Sequence, residues 1–204
     1  MTPRVAGPRR RGRPRATATT SGLEPREEIL RHAAALFSSK GVGATRLSDI
    51  AASVGVSPPA IYYHFDNVDA IVEQLLTSVV EESAAFATAA ARGRGTAADR
   101  LRALVEQHVE RLTAGPYDVW FVAGMSDVER ARFPEVSGQA IRWREAVAGL
   151  VQEGGRAGEL RPVDPLLAVA TLSGLVHGAL ELRHRGADVD ASSVADLAVA
   201  ALSP

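Results

Sequence analysis

The sequence predicts an all-α protein of about nine helices, in which a small N-terminal helix-turn-helix unit precedes a larger helical domain. Three observations carry that expectation. Apolar residues recur at i, i+3, i+4 and i+7 from Glu24 onward, no segment keeps up the alternation of a strand, and Gly and Pro interrupt the helical runs at regular intervals. With 204 residues, 46% of them apolar and 23% charged, the chain can build a core without staples. The absence of cysteine excludes disulfides, thiolate nucleophiles and cysteine zinc sites. Uninterrupted apolar stretches fall short of the roughly 18 residues of a spanning segment, and the basic N-terminus is followed by no apolar signal core. A cytoplasmic protein with no membrane association is expected.

Residues 1–22 combine Arg, Pro, Gly, Ser and Thr with almost no large apolar side chain, the composition of a disordered arm. Arg4, Arg9, Arg10, Arg11, Arg13 and Arg15 lie there without an acid. Of the 23 Lys and Arg residues this leaves 17 against 24 acidic ones elsewhere. A basic arm on an acidic body points to a polyanionic partner reached by the arm.

The first helix carries Ile29, Ala33, Leu36 and Phe37 on one face and stops at Gly41. Thr45 offers an N-cap to a second helix with the stripe Leu47, Ile50, Ala51 and Val54, and Gly55 suits a left-handed turn. Ser57 then caps a short third helix whose first turn accepts Pro58 and Pro59, because their missing N–H groups would have no partner there. Asp66 or Asn67 caps a fourth, with Ile71, Leu75 and Val79, ending at the Arg92 to Gly95 run. Five further helices are expected near 96–114, 116–130, 134–154, 163–185 and 190–202. These divide the chain into an arm (1–22), a DNA-binding unit (23–68) and a ligand-binding and dimerisation domain (69–204).

Residues 45–65 form helix, glycine-bearing turn, helix, a geometry that offers the second helix to a major groove. On that helix Ser57, Tyr62, Tyr63 and His64 can hydrogen-bond to phosphates or base edges, while Pro58, Pro59 and Ala60 present small apolar surface suited to thymine methyls. The same aromatic residues would also serve as packing in an ordinary helical hairpin.

The run from Ile29 to Ala70, with ILRHAAALFSSKG, TRLSDIAASVGVS and IYYHFDN, resembles the N-terminal signature of TetR-type transcriptional regulators in order, spacing and residue type. The resemblance implies a three-helix DNA-binding domain on about six more helices, a homodimer, and release from a partly palindromic double-stranded DNA operator when a small ligand binds. It also implies that Thr45 starts the second helix at a phosphate and that Pro58, Pro59 and Ala60 form the base-facing tip. Tyr62, Tyr63 and His64 then contact backbone and base edges. Two positions depart from the family pattern by removing positive charge: Val68 stands where many members have lysine, and Ser48 fills an often basic place. Arg46, Lys40 and the arm are candidates to compensate. Within the arm, Arg10-Arg11-Gly12-Arg13-Pro14-Arg15 resembles an AT-hook, whose Gly-Arg-Pro core lies in a narrow A·T-rich minor groove.

In the C-terminal part Phe86, His108, Tyr117, Trp120, Phe121, Met125, Trp143 and His177 are candidates to line a pocket for a small hydrophobic effector, His108 and His177 as polar anchors. Each also fits plain core packing. His177, Glu181 and His184 share one helical face but lack the second carboxylate helix of a dimetal site, so neither a metal, a cofactor nor an enzyme activity is expected. The last two helices are apolar over wide arcs, with Leu166, Leu167, Leu175 and Leu180 on one and Val194, Leu197 and Ala201 on the other. Small Ser173, Gly174 and Gly178 permit close approach, and a homodimer through these helices is expected. The function read from the sequence is a ligand-responsive repressor, with an architectural AT-hook protein lacking ligand response as the alternative.

Overall fold

The computed structural model describes residues 23–125 and 127–204, so the arginine-rich arm and its AT-hook-like motif lie outside the described residues. Among the described residues ten helices form and there is no strand. Helix α1 (Pro25–Lys40) starts with Pro25 in its first turn, where an N–H would be unpaired, and with Glu27 and Glu28 beside the positive end of the helix dipole. Its Ile29, Leu30, Ala33, Ala34 and Phe37 are buried, and it packs on α2 (Leu47–Val54), which in turn packs on α3 (Pro58–Tyr62). The turn between α2 and α3 depends on Gly55, left-handed at φ 81° and ψ 27°.

Two caps differ from expectation. Thr45 is 5% exposed, and its hydroxyl donates to the Gly41 carbonyl at 2.8 Å, so Arg46 takes the N-cap position of α2. Asp49 then accepts the Arg46 N–H at 2.9 Å, half of a capping box. Ser57 occupies the N-cap position of α3 without a side-chain cap bond.

Helix α4 (Val68–Ala91) is capped by Asn67, whose Oδ1 accepts the Ala70 N–H at 2.8 Å. It lies along α8 (Pro134–Ala157), and α5 (Ala97–Thr113) packs against both, as well as against α9 (Pro165–His184) and α10 (Ala191–Ala200). Carboxylates begin the last two helices: Asp164 accepts from Leu166 and Leu167, and Asp190 from Ser192 and Ser193. Where one helix was expected over 116–130, a turn leads into two four-residue helices, α6 (Phe121–Gly124) and α7 (Asp127–Arg130). The Asp118 carboxylate takes the Trp120 N–H at 3.0 Å, and Met125 is extended at φ −68° and ψ 129°, so the ladder cannot run through.

A single buried cluster runs from Ile29 to Leu202. Two joints in it are tight. Arg100, 8% exposed, has its guanidinium satisfied by the carbonyls of Ala90, Ala91 and Thr96 and by Glu153. At Gly154 a Cβ would stand 2.7 Å from Leu160 Cδ1 and 3.3 Å from Ala97 Cβ, so only glycine lets the end of α8 fold under Leu160. The helix continues past Gly154 to Ala157 and stops at left-handed Gly158, φ 73°.

Helix α9 is 20 residues long and apolar enough by composition to cross a membrane, but Ala168, Leu172, Val176, Ala179 and Leu180 are buried in the bundle. On its other side Leu166, Leu167 and Leu182 are exposed, as is Leu197 on α10.

Candidate nucleic-acid interface and interhelical cavity

The short helix α3 is held from behind and bare in front. Ile61 and Phe65 are buried, and the Arg26 guanidinium covers the Phe65 ring at 4.6 Å from its centroid while hydrogen-bonding Gln74. These anchors fix the helix on α1 and α4 and turn Ser57, Pro58, Pro59, Tyr62 and Tyr63 outward, the tyrosines 58% and 86% exposed. Ala60 and His64 are half-buried, and the rings of Tyr63 and His64 meet edge to face at 5.1 Å. Large exposed rings on the outward face of a helix suit contact with a phosphate backbone or a groove.

Arg46 is exposed at the start of α2. Lys40, the other candidate cation of this face, is already engaged: its Nζ lies 2.7 Å from Asp49 Oδ2. That ammonium hydrogen bond, with the Arg46 N–H behind it, holds the Asp49 carboxyl below its ordinary pKa. Lys40 thus fastens α1 to α2 and offers a phosphate only part of its charge.

The larger helices enclose a cavity of about 250 Å³. Its walls are apolar where Val80, Leu112, Val122, Val176 and Leu180 approach from α4, α5, α9 and the α6 turn. Three of the aromatic and imidazole candidates, His108, Trp143 and His177, line it. The His108 and Trp143 rings lie 4.7 Å apart, tilted by 31°, and His108 Nδ1 meets Ser83 Oγ at 3.0 Å. Burial pushes the His108 pKa down to about 4, because enclosed protein solvates the imidazolium poorly, so the ring is neutral at pH 7.

The other five candidates lie elsewhere. Phe86 is half-buried against the core, and Tyr117 borders a neighbouring recess with Asp118, Arg183 and His184. Trp120, Phe121 and Met125 border a third recess, against Phe37 and Gly41 of the first helix and its cap. The break at 116–120 separates them from the cavity: it turns Trp120 to stack on His184 at 5.5 Å and to meet His177 at 5.1 Å, and Phe121 toward α1. His184 is further held by Asp118 at 3.0 Å, so His177 and His184 pack around an indole while Glu181 pairs with Arg185, and no metal-ligand cluster exists among the described residues.

Sequence reading missed the polar lining: Ser83, Arg130, Gln139, Arg144 and Ser173. Gln139 and Trp143, four residues apart on α8, were the available signal. The Trp143 Nε1 donor and the Gln139 Oε1 acceptor are buried without a hydrogen-bond partner.

Comparison with known proteins sets this arrangement in a family. Residues 29–75 match the family of bacterial regulatory proteins, tetR family, and residues 94–181 match the tetracyclin repressor-like C-terminal domain. The chain belongs to the TetR family. It is 28% identical over 186 residues to the HTH-type transcriptional repressor KstR2 of Rhodococcus jostii, covering 89% of this chain and 91% of that protein. Over 49 residues it is 45% identical to the IcaR negative transcriptional regulator of Staphylococcus aureus, a match spanning 24% of this chain and 26% of the relative. Among solved structures, Mycobacterium smegmatis AmtR superposes with a TM-score of 0.66 at 28% identity, over 89% of this chain and 95% of that one. The ketosteroid regulator KstR2 of Mycobacterium tuberculosis shares the fold, with a TM-score of 0.75 at 20% identity over 89% and 96% of the two chains. As a TetR family member the protein is a DNA-binding regulator of transcription and not an enzyme.

Proposed function

We propose that the protein is a cytoplasmic, homodimeric repressor that leaves a partly palindromic operator when a small, largely apolar effector enters the interhelical cavity. The observation that carries this reading is the pairing, in one chain, of an outward α3 face with an apolar cavity in which Trp143 Nε1 and Gln139 Oε1 lack hydrogen-bond partners. Ser57, Pro58, Pro59, Ala60, Tyr62, Tyr63 and His64 read the major groove, Arg46 holds phosphate, and Arg10, Arg11, Arg13 and Arg15 of the arm follow the flanks. Thr45 acts through the turn it ties to Gly41.

Two copies have to present their α3 helices one DNA turn apart, roughly 34–36 Å. A ligand that binds one spacing better than the other shifts the population between them. The supporting contacts run through the cavity wall: Val122 lines it, and the adjacent Phe121 packs on Phe37 of α1. Helix α4 adds a second route, since it begins at the DNA-binding unit and brings Val80 and Ser83 to the cavity.

Selecting bound fragments from random DNA with the purified protein, then footprinting them, tests the reading. Discrete, dyad-related footprints lost on addition of a cavity ligand are expected. A continuous, sequence-insensitive coating would support an architectural role instead.

A further inference from the structure

Among the described residues the cavity's polar lining carries cationic and neutral groups and no carboxylate. Arg130 donates from Nε to the Met125 carbonyl at 3.2 Å and from one terminal nitrogen to the Val122 carbonyl at 2.7 Å, which fixes its guanidinium while leaving the other terminal nitrogen uncommitted. Arg144, on the turn of α8 that follows Gln139, lies at the rim. Neither arginine has a carboxylate partner, and no Asp or Glu lines the cavity, among the described residues. Trp143, 6% exposed, adds an N–H donor with no acceptor, and the Gln139 amide presents either its oxygen or, after a half turn, its N–H₂ group. His108 is neutral and its Nδ1 is taken up by Ser83, so it neither repels nor neutralises a charge.

The Trp143 donor and the Gln139 oxygen are already shut away from water without a partner, a burden of about 1–3 kcal/mol each that a wholly apolar occupant would leave in place. A carboxylate, by contrast, offers lone pairs to the indole N–H, to the amide and to a guanidinium, the last in the planar two-bond geometry that arginine favours. The remaining wall, from the tilted His108 and Trp143 rings to Val80, Leu112, Val176 and Leu180, suits a flat or branched apolar body. At about 250 Å³ the cavity lies below the roughly 300–1,000 Å³ of drug-sized sites, so that body is compact.

We propose that the cavity selects a compact organic carboxylate, its anionic head held by Arg130 and Arg144 with the Trp143 N–H and Gln139, and its apolar body against Trp143 and His108. The proposal rests on the reading of this cavity as the effector site and adds the charge and size of the effector.

The test uses three probes with one body and different heads: phenylacetate, its neutral amide, and phenethylamine. Each is titrated into the full-length Trp120→Phe protein, so that Trp143 alone reports by fluorescence, with calorimetry as a check. Phenylacetate is expected to bind at least tenfold more tightly than the amide, with phenethylamine weakest, a preference equal to about 1.4 kcal/mol per tenfold. Arg144→Met is expected to bring the acid to within about threefold of the amide. Arg130→Lys, which keeps a cation but loses the two carbonyl bonds that hold it in place, is expected to weaken the acid and not the amide. Equal or tighter binding of the amide, an acid preference surviving both substitutions, or no acid binding up to about 10 mM would each overturn the proposal. Release of the selected operator by the amide or the amine would overturn the carboxylate assignment alone. Operator binding indifferent to a probe that fluorescence shows in the cavity would overturn the effector reading instead.

Discussion

Phe37 and Phe121 meet edge to face, ring centroids 5.5 Å apart, where α1 of the DNA-binding unit touches the segment that walls the cavity. Ser38 reinforces the joint: its hydroxyl donates to the Asp118 carbonyl at 3.2 Å and accepts the Phe121 N–H at 3.2 Å. If this joint transmits occupancy, Phe121→Leu and Ser38→Ala should leave operator affinity within about threefold and weaken effector-driven release about tenfold. The cost in stability should be about 1–2 kcal/mol, since the leucine keeps most of the buried volume. Fluorescence anisotropy of labelled operator, with and without effector, measures both; a loss of operator affinity with helicity intact would make the joint part of the DNA-binding scaffold.

Tyr63 touches little but His64, so Tyr63→Ala should shift unfolding by less than about 0.5 kcal/mol. Operator affinity should nevertheless fall roughly tenfold, the worth of one lost hydrogen bond to a charged phosphate. Unchanged DNA binding would remove the tyrosine from the interface.

Because Val68 and Ser48 bring no charge to the folded unit and Lys40 is tied to Asp49, phosphate attraction should fall largely to the arm. Deleting residues 1–20 should flatten the slope of log affinity against log salt by roughly 3–5 per protomer, at about 0.9 per phosphate. Arg13→Ala should diminish the preference for A·T-rich flanks more than Arg4→Ala does, since only Arg13 lies in the Gly-Arg-Pro core. Binding with an unaltered slope would make the arm a bystander.

For His108 the folded pKa of about 4 lies below the ordinary 6.5, so between these values the unfolded chain binds more protons than the native one. Its neutral burial therefore contributes stability fully above about pH 6.5, and that contribution is lost progressively as pH falls toward 4. Urea denaturation at a series of pH values should give a descending acid limb that His108→Phe flattens. Asp49, whose pKa is also lowered, adds to the loss at more acidic pH, as its carboxylate protonates and releases Lys40.

Much of this was legible in the chain itself. The i, i+4, i+7 and i+8 spacing of Ile29, Ala33, Leu36 and Phe37, the stop at Gly41, the turn at Gly55 and the Asn67 cap are local effects, and local effects act within one turn of the residue that causes them. The Thr45 bond to Gly41 and the interruption over 116–120 are decided by backbone atoms competing with side chains, where neighbouring options differ by little. The cavity was half legible. His108, Trp143 and His177 stood out as rare residues on apolar helices, whereas Arg130, Gln139 and Arg144 become a polar cluster only when α7 and α8 meet α5 and α9.

The exposed leucines of α9 and α10 give the assembly prediction. Leu166 and Leu197 are 79% and 61% exposed, more apolar surface than a lone helix pair should leave to water. A Leu166→Glu, Leu197→Glu double substitution should yield a folded monomer by light scattering and abolish tight operator binding, since one half-site contributes only part of the affinity. A wild-type monomer at micromolar concentration would refute the shared-helix dimer.

The closeness of Gly154 to Leu160 makes these two positions heritable only as a pair. Alanine at 154 forces the Leu160 side chain to shift, and a smaller residue at 160 leaves a void while glycine stands at 154. Either single change should cost about 1–3 kcal/mol, and the double change Gly154→Ala, Leu160→Val should cost less than the sum of its parts. A lineage can therefore cross between the two solutions only through a destabilised intermediate, and the bend that brings the end of α8 under α5 is guarded by that barrier rather than by either residue alone.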